Sequence, residues 1–498
     1  MQEQSMKPQD EDLPLGGPPQ PADGKKNPDR LGKERIGKLL VEFSIPSIVM
    51  MVFSSLYNIV DTVFLQIAVP SVGAAVTQLT WPAMCFLMGC SMIAGIGGNA
   101  MAAIELGRGN KKLVEKILGN TAMLLILMGV LAAIVGTLLI DPLLTLLSTT
   151  DELWTPTKTF LQIIMVGFVL QSLGLGLNNF LRTAGRPNFA LGTSVLGTVA
   201  CIIFNAVFVL GMNMGVAGSA LATILGQGVG MIPTICFFIF FKTAPFRLRL
   251  KCLPLDMKLS VEILSLGLAS FVMQCGNAVV TVVLNYVIAL YAADDPLGAT
   301  NAFAAISIVW KVAGLAYTVV IGVTSGAQPI LGYNFGACRW DRVLTTLKWA
   351  CIGAAGLAAV CWVFFEACPW VVLSLFSIDE TTMPFACMTL RIFALWLPFV
   401  GYQMMGSSYF QSSGQPLKAT VLELTRQILF LIPLYLLFPP VAMALLGVSG
   451  LTGVVMCVPI ADVLAFVVTT FFVVREVKRL RKLQAEAGER FINLSEQV

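Results

Sequence analysis

The chain has 498 residues, 57% of them hydrophobic and only 12% charged, with a mean hydropathy of +0.82. A soluble domain carries about 25% charged residues, so this composition excludes one and identifies an integral membrane protein. The net charge of +4 gives no ground for nucleic-acid binding, and the absence of His together with 12 singly scattered Cys leaves almost no material for a zinc or redox site. No G-x-x-x-x-G-K-[ST] loop is present, which argues against an ATP-driven pump in this chain.

Residues 1–36 are polar, rich in Pro and Gly, and lack the apolar core of a signal peptide, so they read as a disordered cytoplasmic tail. Crossing about 30 Å of hydrocarbon takes roughly 20 helical residues. Twelve apolar runs meet that length, and their interiors do not alternate as barrel strands do. The first six are Leu39–Ile67, Ala75–Ile104, Ile117–Ile140, Phe160–Leu181, Phe189–Met212 and Gly215–Phe241, placing a first lobe at 37–241. A basic linker at 242–260, with KTAPFRLRLKCLPLDMK at Lys242–Lys258, reads as a topogenic loop that is also basic enough to rest on anionic lipid. The second six are Ile263–Ala292, Asn301–Leu331, Trp349–Leu375, Met388–Phe410, Ala419–Pro439 and Leu446–Val474, a second lobe at 261–475 followed by a cytoplasmic tail at 476–498. The expected fold is therefore all-α, with twelve transmembrane helices in two pseudo-symmetric six-helix lobes.

The two lobes carry the same short polar segments. GIGGNAMAAIELGRGN at 95–110 matches GVTSGAQPILGYNFGA at 322–337 at an offset of 227, pairing Gly95 with Gly322 and Gly109 with Gly336. FLRTAGRP from Phe180 matches YFQSSGQP from Tyr409 at an offset of 229, pairing Gly185 with Gly414 and Pro187 with Pro416. An even number of spans per copy makes the repeats parallel, related by an axis along the membrane normal, and two facing bundles of this kind can rock about a shared central site. Placing both termini in the cytoplasm puts 28 of the 32 Lys and Arg residues on that side, leaving Lys158, Lys311, Arg391 and Arg426. Asp141, Asp151, Glu152, Asp294, Asp295, Asp379 and Glu380 fall on the other, as the positive-inside rule requires.

A charge deep in a span costs roughly 2.5–3.5 kcal/mol on insertion scales, so each one needs a reason. Asp61 lies in the outer half of span one, with Tyr57 and Asn58 one turn earlier on its face. Apolar surroundings favour the protonated form of a carboxylate, so Asp61 can carry a proton, or help hold Na⁺; the alternative is a carboxylate that ties two helices together. Asn178, Asn179 and Asn205 add polar groups to the same lobe. Asp462, near the middle of span twelve, is the second buried acid, either a coupling group or a partner for backbone opened by Pro459. Lys311 reads as a counter-charge or a side chain that snorkels outward, and Glu423 with Arg426 as an intrahelical ion pair. Glu42 and Glu105 read as solvated near the cytoplasm, and Pro46, Pro329 and Pro398 as kinks. Tyr57, Met404 and Met405 offer an adaptable wall for a promiscuous site.

These residues resemble a multidrug and toxic compound extrusion (MATE) transporter from about Gly37 to about Lys482. The specific pieces are GAQPILGYNFGA with Gln328, Pro329, Tyr333, Asn334 and Gly336, the Gly-rich stretch with Gly95 and Gly98, and the F-L-R-x-x-G-x-P segment with Gly185 and Pro187. FQSSGQP with RQILFLIP is similar to the branch containing DinF-like bacterial multidrug exporters. The resemblance implies a V-shaped cavity between two lobes and antiport of organic cations against H⁺ or Na⁺ at the plasma membrane. It also implies a monomer, and no cofactor beyond the ion gradient. Asp61 falls on the family's coupling carboxylate, and Asp462 on a P-I-A-D stretch of this branch. Where many relatives have an acid in span five, this chain has Asn205, and Gln274 and Asn277 stand in span seven where another branch has Glu. These departures weaken a Na⁺ site in the second lobe and favour protons. The Gly that usually follows Asp-x-x-F in span one is absent, which has no physical account.

Other readings are a flippase for lipid-linked sugars, which needs Arg and Lys for pyrophosphate, and an uncoupled channel or carrier, which the duplicated lobes disfavour. An enzyme has no support, because no nucleophile and base form a recognisable motif.

Overall fold

The computed structural model describes residues 30–69, 73–146, 151–241, 244–292, 299–374 and 382–495. All regular structure among them is helical. A short helix α1 (Arg30–Lys33) precedes α2 (Ile36–Ala68), α3 (Gly73–Gly107), α4 (Lys111–Leu146), α5 (Asp151–Thr183), α6 (Pro187–Asn205) and α7 (Gly215–Phe240). After the linker come α8 (Met257–Ala292), α9 (Ala299–Gly336), α10 (Trp340–Ala367), α11 (Pro369–Leu373), α12 (Met383–Ala394) and α13 (Leu397–Ser412). The chain closes with α14 (Pro416–Leu424), α15 (Ile432–Leu446) and α16 (Gly450–Ser495). Two π-helical segments interrupt this order, Ala206–Gly211 after α6 and Thr425–Leu431 between α14 and α15, each in the fifth span of its lobe.

Eleven stretches are long and apolar enough to cross a membrane singly, and α12 with α13, bent by 44°, make the twelfth. That bend falls just before Pro398, near the start of α13, whereas α2 and α9 run unbroken through Pro46 and Pro329. Leu138, Phe240 and Leu445 are 74%, 73% and 79% exposed on the outer faces of α4, α7 and α15. In water that much apolar surface would cost about 25 cal/mol per Å², and in hydrocarbon nothing. The expected acids Asp294, Asp295, Asp379 and Glu380, and Leu375, lie outside the described residues, as do the side chains of Asn58, Asp151 and Glu152.

The repeated segments are turns and lobe contacts. Gly185 and Gly414 both adopt positive φ, +76° and +75°, where a side chain would be strained, and Pro187 and Pro416 both open the next helix with a pre-set φ. The other repeat is also in register at 229, not at the 227 read from its glycines. The positive-φ turn residue after α3 is Gly109, φ +81°, and after α9 it is Cys338, φ +54°. At the same offset Gly107 corresponds to Gly336 and Ile104 to Tyr333. A Cβ on Gly107 would overlap the carbonyl oxygen of Tyr333, and one on Gly336 that of Ile104. The pair is reciprocal, as a two-fold interface demands.

The same symmetry governs the long contacts, since the first helix of each lobe packs on the second helix of the other, α2 on α9 and α8 on α3. Gly326 and Gly322 face Ser44 and Ile48, while Gly97 and Gly267 face Ile263 and Ile93, so backbone meets backbone across the lobes. These contacts cluster at the end holding the linker. One apolar core there includes Leu39, Phe43 and Ala94 of the first lobe with Ile263, Ile330 and Tyr409 of the second. Toward the far end it splits, with one core built on Leu65, Phe168 and Ile224 and the other on Val287, Val309 and Val454. The molecule is thus sealed at the linker end and cleft at the other.

Several segments expected to be loose are built into that seal. Leu31 is 3% exposed, its carbonyl accepts from Asn334 at 3.2 Å and Arg342 at 3.2 Å, and Arg342 also donates to the carbonyl of Glu34 at 2.7 Å. Residues 30–36 are therefore folded against the second lobe, and of the expected tail 1–29 lie outside the described residues. The linker docks on α4: Phe246 stacks on Phe238, and Arg249 pairs with Glu115 at 3.1 Å. Glu105, read as solvated, is 7% exposed and paired with Arg108 at 2.7 Å.

Candidate functional site

Each lobe holds a carboxylate within a span, Asp61 in the first and Asp462 in the second, and in each the fifth span presents a group that holds it. In the first lobe Asp61 on α2 accepts from Asn205 Nδ2 at 3.1 Å and from Ser219 Oγ of α7 at 2.8 Å. Asn205 is fully buried and is the last residue before the π-helical segment, where an extra residue per turn breaks the helical register, as at many functional sites. Tyr57 is 7% exposed, one turn below Asp61, with its hydroxyl 2.6 Å from Thr223 Oγ1. Thr223 donates in turn to the carbonyl of Ser219 at 3.0 Å.

The described polar side chains that meet Asp61, Asn205, Ser219 and Tyr57, are neutral and can each act as donor or acceptor. Asn205 offers N–H to a carboxylate and, turned over, a carbonyl to a carboxylic acid, and its Oδ1 has no partner in the present arrangement. Ser219 and Tyr57 can rotate their hydroxyls in the same way. The site can satisfy either protonation state of Asp61 without moving backbone. No ion pair among the described residues includes Asp61.

The second lobe solves the same problem with charge. Asp462, 2% exposed, accepts from Arg426 Nε at 2.8 Å, and Arg426, within the π-helical segment, donates to Tyr317 Oη at 3.1 Å and lies over the Tyr317 ring. This corrects two expectations. Asp462 is not a partner for the backbone near Pro459, because its Oδ1 is held by the Arg426 guanidinium and its Oδ2 has no partner. Nor do Glu423 and Arg426 form an intrahelical pair; Glu423 is half-buried against Ser407 of α13. Removing one partner of a buried pair costs about 3–5 kcal/mol, whereas replacing both with apolar groups is often neutral. Arg426→Leu is therefore expected to lower the Tm in detergent sharply, and Arg426→Leu with Asp462→Leu to restore most of it; a single variant melting like the parent would contradict the pairing.

Among the other expected residues, Gln274, Asn277 and the unforeseen Gln427 form a polar chain on the second lobe, with Gln427 Nε2 to Asn277 Oδ1 at 3.1 Å and Asn277 Nδ2 to Gln274 Oε1 at 3.4 Å. Asn178 and Asn179 do not reach Asp61. Asn178 bridges to Thr193 at 2.9 Å and Ser194 at 3.2 Å, tying α5 to α6, and Asn179 accepts from Arg182. Arg182, counted as a loop charge, is 4% exposed and reaches Ser47 of α2 at 3.3 Å. Met405 is fully buried packing and not a cavity wall.

The motif residues serve packing, some within a lobe and some across the seal. Gly95 and Gly98 admit Gly176 of α5 and Thr121 of α4, and Gln328 reaches Gln411 at 3.5 Å. Tyr333 and Asn334 anchor Gly107 and Leu31, and Gly336 meets Ile104.

Comparison with known proteins agrees with this architecture. The MatE family model matches twice, over residues 46–207 and 269–437, once in each lobe and on well over half of the chain. The chain is 23% identical over 459 residues to Multidrug export protein MepA of Staphylococcus saprophyticus, covering 92% of this chain and 98% of that one. It is 22% identical to MepA of Staphylococcus haemolyticus, over 88% of this chain and 93% of that one. Among solved structures, a MATE in complex with MaL6 superposes with a TM-score of 0.84 at 20% identity, covering 92% of this chain and all (100%) of that one. The outward-facing conformation of a multidrug resistance MATE family transporter of the MOP superfamily gives 0.84 at 21% identity, over 92% and 99%. With two lobes, a cleft between them and a family model on both, the chain belongs to the MatE family and is a MATE transporter.

Proposed function

We propose that this chain is a secondary-active exporter of organic cations and amphiphilic drugs at the plasma membrane, driven by exchange for H⁺. It works as a monomer with both termini and the linker in the cytoplasm. The positions of Lys and Arg support that orientation, and it makes the present structure sealed to the cytoplasm and open outward. The names of the MepA relatives support drug export.

The single observation that carries the coupling is the neutral, reversible hydrogen-bonding shell of Asp61, set against an Asp462 already neutralised by Arg426. A proton or a cationic substrate on Asp61 excludes the other, so each weakens the other's binding by the same factor. A proton arriving from outside releases the substrate there; its loss to the cytoplasm restores the carboxylate for the next one. A pyrophosphate-binding flippase is disfavoured, because Arg426 is committed to Asp462 and Arg391 lies 3.9 Å from Glu366, which leaves Lys311 as a single cation where a pyrophosphate needs several.

The test is export of a fluorescent organic cation into the lumen of inside-out vesicles, with the pH and Na⁺ gradients collapsed one at a time. Loss of efflux with the pH gradient alone is expected. Efflux that follows Na⁺, or no gradient-dependent efflux of any cation, would overturn the reading.

A further inference from the structure

Lys311 is a charged residue of the membrane interior that the coupling scheme does not use and that no ion pair among the described residues includes. Its face of α9 is fixed by its neighbours. Val309, Val312, Ala313, Ala316 and Val320 point into the second-lobe core and are at most 5% exposed. Lys311, Gly314, Thr318, Gly322 and Gly326 recur at helical spacing on the opposite stripe. That stripe faces α2 of the other lobe, since Gly326 meets Ser44, Gly322 meets Ile48, and Thr318 Oγ1 is 3.1 Å from Ser55 Oγ.

Beyond Thr318 the lobes part. A Cβ on Gly314 would have nothing within 4 Å, and Lys311 is exposed. Continuing the antiparallel register of α2 and α9 brings Lys311 level with residues 59–62, the depth of Asp61. None of the ion pairs among the described residues includes Lys311. It therefore does not snorkel along a lipid-facing surface; it projects into the cleft across from the wall that holds Asp61.

A simple monocation seated at Asp61 would meet an ammonium group on the opposite wall, and like charges facing across a site of low dielectric repel. We propose that Lys311 binds an acidic group of the substrate, so that the cargo of this cleft is a zwitterion whose cationic group goes to Asp61 and whose carboxylate, sulfonate or phosphonate goes to Lys311. The assignment rests on the efflux reading and narrows its substrate class. A charge-assisted hydrogen bond of this kind supplies discrimination on the order of tenfold.

The test uses two dyes with one chromophore, rhodamine B, a zwitterion at neutral pH, and its ethyl ester, a monocation, in vesicles bearing the full chain. The parent is expected to move rhodamine B in preference to the ester. Lys311→Gln is expected to lower that preference about tenfold, and Lys311→Arg to keep it. A preference unchanged in Lys311→Gln, with efflux of both dyes intact, would overturn the role of Lys311 and leave the exporter standing. Failure of the parent to move either dye uphill would overturn the exporter reading and this one with it.

Discussion

Asp61→Asn is expected to abolish uphill efflux while leaving the protein folded and in the membrane. An amide is nearly isosteric with a carboxylate, and Asn205, Ser219 and Tyr57 can turn to meet it, so the hydrogen-bonded shell survives. What disappears is the charge that makes proton and cation compete. Without mutual exclusion the coupling free energy, typically about 1–3 kcal/mol between linked sites, falls to zero. The check is gradient-driven efflux per molecule of protein, beside a melting curve. A folded variant that still pumps would make Asp61 a structural tie between α2, α6 and α7. Ser219→Ala is the milder companion, because it removes one donor and leaves the charge.

Gly336→Val and Gly107→Val are expected to cripple transport for a different reason. Each places a branched side chain where its glycine now touches the other lobe's backbone, at Ile104 and Tyr333. A carbonyl oxygen in a packed helix cannot step aside as a side-chain tip can. Overpacking of this kind costs about 1–3 kcal/mol, which depopulates the sealed state roughly 5- to 150-fold. The lobes are wedged apart at the linker end. The readout is labelling of a cysteine introduced at Ala327, now fully buried, by an impermeant maleimide added from the linker side, compared with the native-cysteine background. Increased labelling with lost efflux is expected, and the two variants should behave alike because the contacts are reciprocal. Parent-like efflux and labelling would show that the seal lies elsewhere.

Much of the fold was legible in the sequence because hydrocarbon imposes a length on every span and leaves few uses for polar segments. The duplicated turns stood out for that reason. Their register was misread by two residues because Gly95 and Gly322 are identical in letter but not in role; Gly95 packs on Gly176 within its lobe, and Gly322 on Ile48 of the other. Asp61 was legible because a lone carboxylate inside an apolar run needs a purpose, and Asn205 because it stands in the place of a family acid. Ser219 and Thr223 were not, since small hydroxyl residues in a membrane helix commonly return their hydrogen bond to the preceding turn, as Thr223 does. Their spacing of one turn on a single face was the available signal.

The pairing of Arg426 with Asp462 was hidden by distance along the chain. Glu423, three residues away, was the partner that regular helix geometry suggests. The π-helical segment breaks that geometry and carries Arg426 to a residue 36 positions on. Arg182 and Leu31 were misread for a related reason. Both sit at chain ends of spans, where sequence alone marks a boundary but does not say whether the other lobe covers it.

The most direct test of the account is proton release on substrate binding. A substrate that the parent exports, bearing a cationic group for Asp61, would be added to the purified full chain in weakly buffered detergent, and the pH followed, for the parent and for Asp61→Asn. A proton released by the parent on saturation is expected, none from Asp61→Asn, and an affinity in the parent that weakens as pH falls. Binding with equal affinity at every pH and no proton release would contradict it.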